Sequence, residues 1–217
     1  MEDIQYTKKG FIILGAGGLG REMYSWISQS NEFLNSYKCS GFLDDDLAKL
    51  SKFSHPIKII GDLNFIYITE IQYFLVALSN PNLKQKIWNE LESLSLNIIG
   101  FIHSSTLLGI DSSIKNCLIT FPNVIISCNV KIGKGVFINN GSQIGHDTII
   151  GDFVSLMANV DIGGNCEINN NVFIGSGATI LPGVNIPENT IIGAGSVVFR
   201  TLKESGTYVG NPAKKIF

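Results

Sequence analysis

One column of residues limits what this chain can fold into more than any other feature. Counting by sixes from Leu108 to Val198 gives fifteen aliphatic side chains in sixteen positions; Thr120 is the exception, and the phase never slips. A second series, four residues after each of these, is mostly small or β-branched: Val124, Val130, Val136, Thr148, Val154, Val160 and Val172 belong to it. Glycine follows the aliphatic position directly at 109, 133, 145, 151, 163, 175 and 193, as expected where a backbone bends sharply. A period of six fits neither the 3.6 of a helix nor an alternation that runs on indefinitely. It fits short strands separated by regular corners, which is a hexapeptide β-helix. Three hexads close a triangular coil of about 18 residues, so positions i and i+18 stack about 4.8 Å apart. The run holds roughly five coils, a prism on the order of 24 Å tall with the aliphatic column inside.

Charge locates the start of that prism. Only 16% of the 217 residues are charged, against about 25% in ordinary domains. The first 99 residues carry 20 of the 34 charges, whereas residues 108–199 carry nine. Glycine runs the other way, with seven before residue 100 and sixteen from Gly100 onward. The shift predicts two domains, 1–104 and 105–217. Scarce charge argues against disorder, and a net charge of −2 argues against a basic surface for nucleic acid or anionic membrane. No apolar run approaches the roughly 18 residues of a membrane span. Gly15 cuts the run after Lys8 and Lys9 too short for a secretory leader. The four cysteines are scattered with no CxxC pair, and read as buried thiols in a reducing cytoplasm.

The front part alternates strands and helices. Strands are expected at Phe11–Leu14, Tyr37–Leu43 and Gln72–Leu78, and helices at Arg21–Gln29 and Asn82–Leu94, the last with Leu83, Ile87, Leu91 and Leu94 on one face. This is a small parallel, Rossmann-like α/β sheet ahead of an all-β domain. Between the first strand and helix lies Gly15-Ala16-Gly17-Gly18-Leu19-Gly20, where bare amides at a helix N-terminus can take a phosphate. Asp44 ends the second strand, where an acid can bind ribose hydroxyls. The readings left open are NAD(H), a phosphate-bearing ligand of another kind, and a tight turn holding nothing. Fewer than 100 residues precede the prism, too few for a full six-stranded dinucleotide fold.

His146 is the only histidine inside the repeat, off the aliphatic column and beside Asp147. An acyl transfer needs a base, which imidazole supplies near neutral pH, and a carboxylate can orient the ring. The bland reading is a solvated surface histidine. Asn139 is either a polar group near the same chemistry or a corner asparagine tolerating an unusual backbone angle. Cys128 lies one coil below His146, which raises a covalent acyl-cysteine as an alternative. Zinc chemistry of the three-histidine type fails on the count. His103 reads as structural, and His55 as a loop residue without a chemical task.

The repeat, together with the ending Val209-Gly210-Asn211-Pro212-Ala213-Lys214, resembles the left-handed β-helix hexapeptide-repeat acyltransferases. The glycine loop, Leu43-Asp44-Asp45 and Ile144-Gly145-His146-Asp147 are similar to a bacterial subgroup of that family. It contains the N-acetyltransferases of nucleotide-linked 4-amino sugars and the sialic acid O-acetyltransferase-like proteins. The resemblance implies left-handedness, a homotrimer, acetyl-CoA as co-substrate with no metal, and a cytoplasmic enzyme. Its acceptor would be a UDP-, dTDP- or GDP-linked 4-amino-4,6-dideoxy sugar used for surface glycans such as lipopolysaccharide O-antigen. It implies His146 as general base, Asp147 in support, Asn139 near the acceptor amine, and direct attack on the thioester. Gly17, Gly18, Leu19, Asp44, Asp45 and Asn80 would line the nucleotide-sugar site, although many members carry histidine where Leu19 stands. Ser155, Gly164, Ser176 and Ala194 would contact CoA, Ser155 standing where many members have a second histidine. Two further readings stay open: O-acetylation of a sugar hydroxyl, and a solenoid that only binds.

Overall fold

The computed structural model describes residues 8–67, 70–71 and 73–217; Gln72, first residue of the expected third strand, lies outside them. The chain forms two compact units, one running to Leu78 and including Glu90–Ile99, the other Ser79–Asn89 with Gly100–Phe217.

The first unit holds a five-stranded parallel sheet. In chain order the elements up to Ile98 are β1 (Lys9–Leu14), α1 (Gly18–Ile27), α2 (Asn31–Ser36), β2 (Tyr37–Leu43), β3 (Ile59–Gly61), β4 (Tyr73–Val76), α3 (Pro81–Ser93) and β5 (Asn97–Ile98), with most of α3 belonging to the second unit. The strands lie in the order β3-β2-β1-β4-β5, as in a doubly wound nucleotide fold. Strand β1 is central, and Phe11 to Leu14 are fully buried on both faces, which explains their unbroken apolar run. Helix α2, β3 and β5 carry too little periodicity to have been read from sequence. The apolar stripe of α3 also differs from expectation. Ile87, Trp88 and Leu91 are buried together with Lys84, whereas Leu83 and Leu94 are exposed. Ile87 and Leu91 lie on the buried face as expected, but Lys84 and Trp88 complete it in place of Leu83 and Leu94, a shift of part of a turn.

The second unit is a parallel β-helix of two-residue strands on three sheets. Its ladder begins at Phe101–Ile102, which pairs with Ile119–Thr120. Register is constant: Ile126 stacks on Ile144, Ile144 on Ile162, Ile162 on Ile180, and Ile180 on Val198. The column from Ile126 to Val198 is buried along its whole length, each side chain contributing about 1.5–3 kcal/mol. Val124, Val130, Val136, Val154, Val160 and Val172 fill the space between. Where the second series turns polar, the hydroxyl is used between coils: Ser142 Oγ donates to Met157 O and accepts from the Val160 amide.

Every sixth residue from Asp111 to Gly195 has a left-handed backbone, φ between 56° and 75°. Asparagine and glycine occupy most of these corners because they tolerate that region best. No helix among the described residues is long and apolar enough to cross a membrane.

Candidate active site

His146 and Asp147 form the corner after the strand Gln143–Ile144, and Asp147 takes its left-handed position at φ 60°. Their backbone is pinned from both sides, since the Asp147 amide donates to Cys128 O below and the Asn165 amide to His146 O above. The Asp147 carboxylate joins two coils. Oδ2 accepts from His146 Nδ1 at 2.7 Å, and Oδ1 from Asn129 Nδ2 at 3.0 Å. The bond from His146, and then that from Asn129, hold the Asp147 carboxyl below the usual carboxylate range. With Nδ1 donating to a carboxylate, Nε2 keeps its lone pair as an acceptor.

Directly above lies Gly164. A methyl group at its Cα would come within 2.7 Å of both Cε1 and Nε2 of His146, so the imidazole lies across bare backbone. Any side chain at residue 164 would therefore displace the ring from this position. The side chains of His146 and Asp147 are 58% and 45% exposed, leaving the pair open on the outside of the prism.

The structure brings His146, Asp147 and Gly164 together and adds Asn129. Sequence arithmetic had found Cys128 one coil below His146 without extending the step to Asn129 below Asp147. Asn139 belongs to a different corner of the coil, after Phe137–Ile138. Its corner-asparagine explanation is corrected: the left-handed residue there is Gly141, and Asn139 Oδ1 accepts from the Asn140 amide at 2.7 Å. Ser176 and Ala194 stack one coil apart at that corner, both exposed. His103 pairs with Ser105 Oγ, and His55 packs between the rings of Tyr24 and Phe42.

Ser155 departs most from its expected role as a CoA contact. It is fully buried, and its hydroxyl accepts from Lys84 Nζ at 2.9 Å, with Val154 O accepting from the same amine at 3.2 Å. No sequence signal marks Lys84 as a core residue. Desolvation pushes the ammonium down to about 7 from 10.5. The unfolded chain therefore binds the extra proton between those values, so stability rises as pH climbs from about 7 to about 10.5. Below that window the full burial cost is present. Lys84→Met is expected to raise the urea midpoint at pH 7 and to flatten its rise towards pH 10. An unchanged slope in the variant would assign that rise to other groups.

In the front unit the glycine loop separates into two kinds of glycine. A Cβ on Gly20 would sit 1.9 Å from Gly15 O, so close chain packing requires glycine there. Gly17 and Gly18 have open space around them and no left-handed backbone, so no contact among the described residues requires them to lack a side chain. They lie at the start of α1, where Gly17 is an N-cap without a side-chain bond. Asp44 braces this loop: Oδ2 accepts from the Ala16 amide at 2.8 Å, and Oδ1 from the Asp46 amide at 3.0 Å. That engages both oxygens of the acid expected to face a ribose. Asp45 accepts from the Leu63 amide at 3.3 Å. Leu19 is half-buried, and Asn80 is exposed and caps α3 through the Leu83 amide at 3.0 Å.

Residues 11–91 match the PglD N-terminal domain, and residues 147–182 and 165–200 match the bacterial transferase hexapeptide repeats. Among solved structures the fold is similar to PerB from Caulobacter crescentus in complex with CoA and GDP-perosamine. That likeness has TM-score 0.83 and 25% identity over 96% of this chain and 97% of that one. WeeI from Acinetobacter baumannii gives 0.75 and 26%, over 96% and 99%. The acetyltransferase domain of PglB from Neisseria gonorrhoeae in complex with acetyl coenzyme A gives 0.84 and 22%, over 97% and 100%, a likeness of fold. A putative acetyltransferase from Saccharomyces cerevisiae is 53% identical over 38 residues, 18% of this chain and 19% of that protein, so the match spans less than a fifth of its length. The second unit is therefore a left-handed β-helix of hexapeptide repeats, preceded by a Rossmann-like domain of the PglD type. The two family matches fall one on each part of the chain, a PglD N-terminal domain ahead of bacterial transferase hexapeptide repeats.

Proposed function

We propose that the chain transfers an acetyl group from acetyl-CoA to the amine of a nucleotide-linked 4-amino-4,6-dideoxy sugar, in the cytoplasm, for a surface glycan such as lipopolysaccharide O-antigen. The observation that carries this is the imidazole held by Asp147 across Gly164, with its free nitrogen turned outward. His146 Nε2 takes a proton from the amine as the nitrogen attacks the thioester carbonyl. The C–N bond forms, the C–S bond breaks, and CoA leaves as a thiolate that is then protonated. A backbone amide near Gly164 stabilises the oxyanion. Ser176 and Ala194 follow the CoA chain, and Gly17, Gly18, Leu19 and Asp45 take the nucleotide end of the acceptor.

A homotrimer fits the exposure of the His146 pair, since a second copy would supply the wall that keeps water out. Support for the acceptor comes from Gly17 and Gly18, whose bareness no contact among the described residues requires, and from the CoA and GDP-perosamine in the PerB structure. The test is thiol release from acetyl-CoA with UDP-, dTDP- and GDP-linked 4-amino sugars and their 4-hydroxy counterparts, with product mass read in parallel. Thiol release with an amino sugar, and a product heavier by one acetyl group, is the expected result. Release only with hydroxyl acceptors would make the enzyme an O-acetyltransferase, and none with either would leave a binding solenoid.

A further inference from the structure

The left-handed corners of the prism stack in columns, and one column runs Asp111, Asn129, Asp147, Asn165 and Gly183. Asparagine at 129 has an evident structural reason, since its φ of 59° suits that side chain better than most. The backbone does not account for what the side chain does. Asn129 Nδ2 donates to Asp147 Oδ1 at 3.0 Å, one coil above. Asn123, Asn159 and Asn165 share the conformation but lie beneath Gly141, Gly177 and Gly183, which offer no side chain to bond. Their asparagine answers to the corner alone. Asn171 lies beneath Asn189 and sends its amide to Gln85 instead.

Asp147 has a use for that contact. The His146 and Asp147 side chains are both open to solvent, and a bond between two exposed side chains is weak against water and rotamer freedom. A carboxylate tied at Oδ1 has one oxygen left to offer, and here Oδ2 meets His146 Nδ1 at 2.7 Å. The ladder prepares the tie. The Asn129 amide donates to Ile110 O at 3.0 Å, the Asp147 amide donates to Cys128 O at 3.1 Å, and Val130, next to Asn129, is wholly buried. Backbone bonds thus fix the spacing of the two corners, and only side-chain torsions remain to be set. Two anchored ends and one exposed pair between them are the arrangement by which an outer residue holds a reacting one in place.

We infer that Asn129 is a positioning residue for the His146–Asp147 pair: by occupying Oδ1 it turns Oδ2 to the ring, and so keeps the imidazole proton on Nδ1 and the lone pair on Nε2. Asn129 touches no reacting atom and acts only through Asp147. Which ring nitrogen carries the proton is set by the hydrogen bond made at the other, so a carboxylate free to rotate would let both tautomers form. The inference rests on the general-base reading of His146, and its test lets the two fail separately.

The experiment is heteronuclear NMR of the imidazole nitrogens on the full chain in alkaline buffer, with the His146 signals identified by their loss in His146→Ala. The variant is Asn129→Gly, which keeps the left-handed corner and removes the donor. The expected result is a proton mainly on Nδ1 in the unsubstituted protein and a mixture of both tautomers in the variant. Acetyl transfer is read in parallel: kcat should fall about three- to tenfold, the size of one lost hydrogen bond, with KM for acetyl-CoA unchanged. In an Asp147→Gly background the same substitution should cost nothing further, because the residue it acts through is gone. Unmoved tautomers in Asn129→Gly, or an undiminished further loss of kcat in the Asp147→Gly background, would each overturn the positioning role. A tautomer shift in a protein that transfers no acetyl group keeps that role and removes the general-base reading. Transfer that depends on His146, with unmoved tautomers in the variant, does the reverse.

Discussion

His146→Ala is expected to lower the acetyl-transfer rate by about 10²–10⁴, the range contributed by a positioned general base. Much of the loss should fall in kcat, because the imidazole acts on the proton that moves in the transition state. The melting temperature should hardly change: the side chain lies outside the prism, and its backbone bonds to Asn165 and Cys128 do not involve the ring. Asp147→Asn is the informative companion. An asparagine keeps the left-handed corner and can keep a bond to Asn129, but it no longer presents a carboxylate to Nδ1. Activity between the unsubstituted protein and His146→Ala would identify orientation as the role of Asp147. Normal turnover in His146→Ala would end the general-base assignment.

Gly164→Ala tests the same site without touching a catalytic atom. The backbone at 164 is not left-handed, so alanine is tolerated by the chain itself. The added methyl would come 2.7 Å from Cε1 and Nε2 of His146, closer than such atoms approach, and the exposed ring is what can give way. A swung imidazole loses its alignment with Asp147 and with the acceptor. Activity should fall on the order of 10²-fold, while circular dichroism and thermal unfolding stay near those of the unsubstituted protein. Matched losses of activity and stability would show that the methyl disrupts the ladder instead. Full activity would mean that the ring need not lie across residue 164 during turnover.

The prism was legible from its period alone, because an interior of one aliphatic per hexad repeats an identical physical demand. Residues such as Ile144 and Ile162 could be placed in register by counting. The order of the front sheet was less visible, since β3 and β5 are too short to carry a pattern. His146 and Asp147 stood out as titratable neighbours in a repeat poor in charge. Asn129, however, became visible only through the stacked coils. Lys84 was hidden for a different reason: the stem of a lysine can occupy a leucine position when its amine finds acceptors. Ser155 follows from the same contact, since its hydroxyl is the acceptor of that buried amine. Asp44 was correctly placed at a strand end, yet the structure engages it with the Ala16 amide.

The constant register also governs how such a protein can change its length. Ile126, Ile144 and Ile162 succeed one another at intervals of one coil, and so do Asn129, Asp147 and Asn165. Removing or duplicating one complete turn at the far end of the prism would leave every contact around His146 intact. An insertion of any other size would have to bulge outward as a loop or carry the aliphatic column off the axis. The architecture therefore grows by quanta, and its chemistry travels with three adjacent turns rather than with the whole.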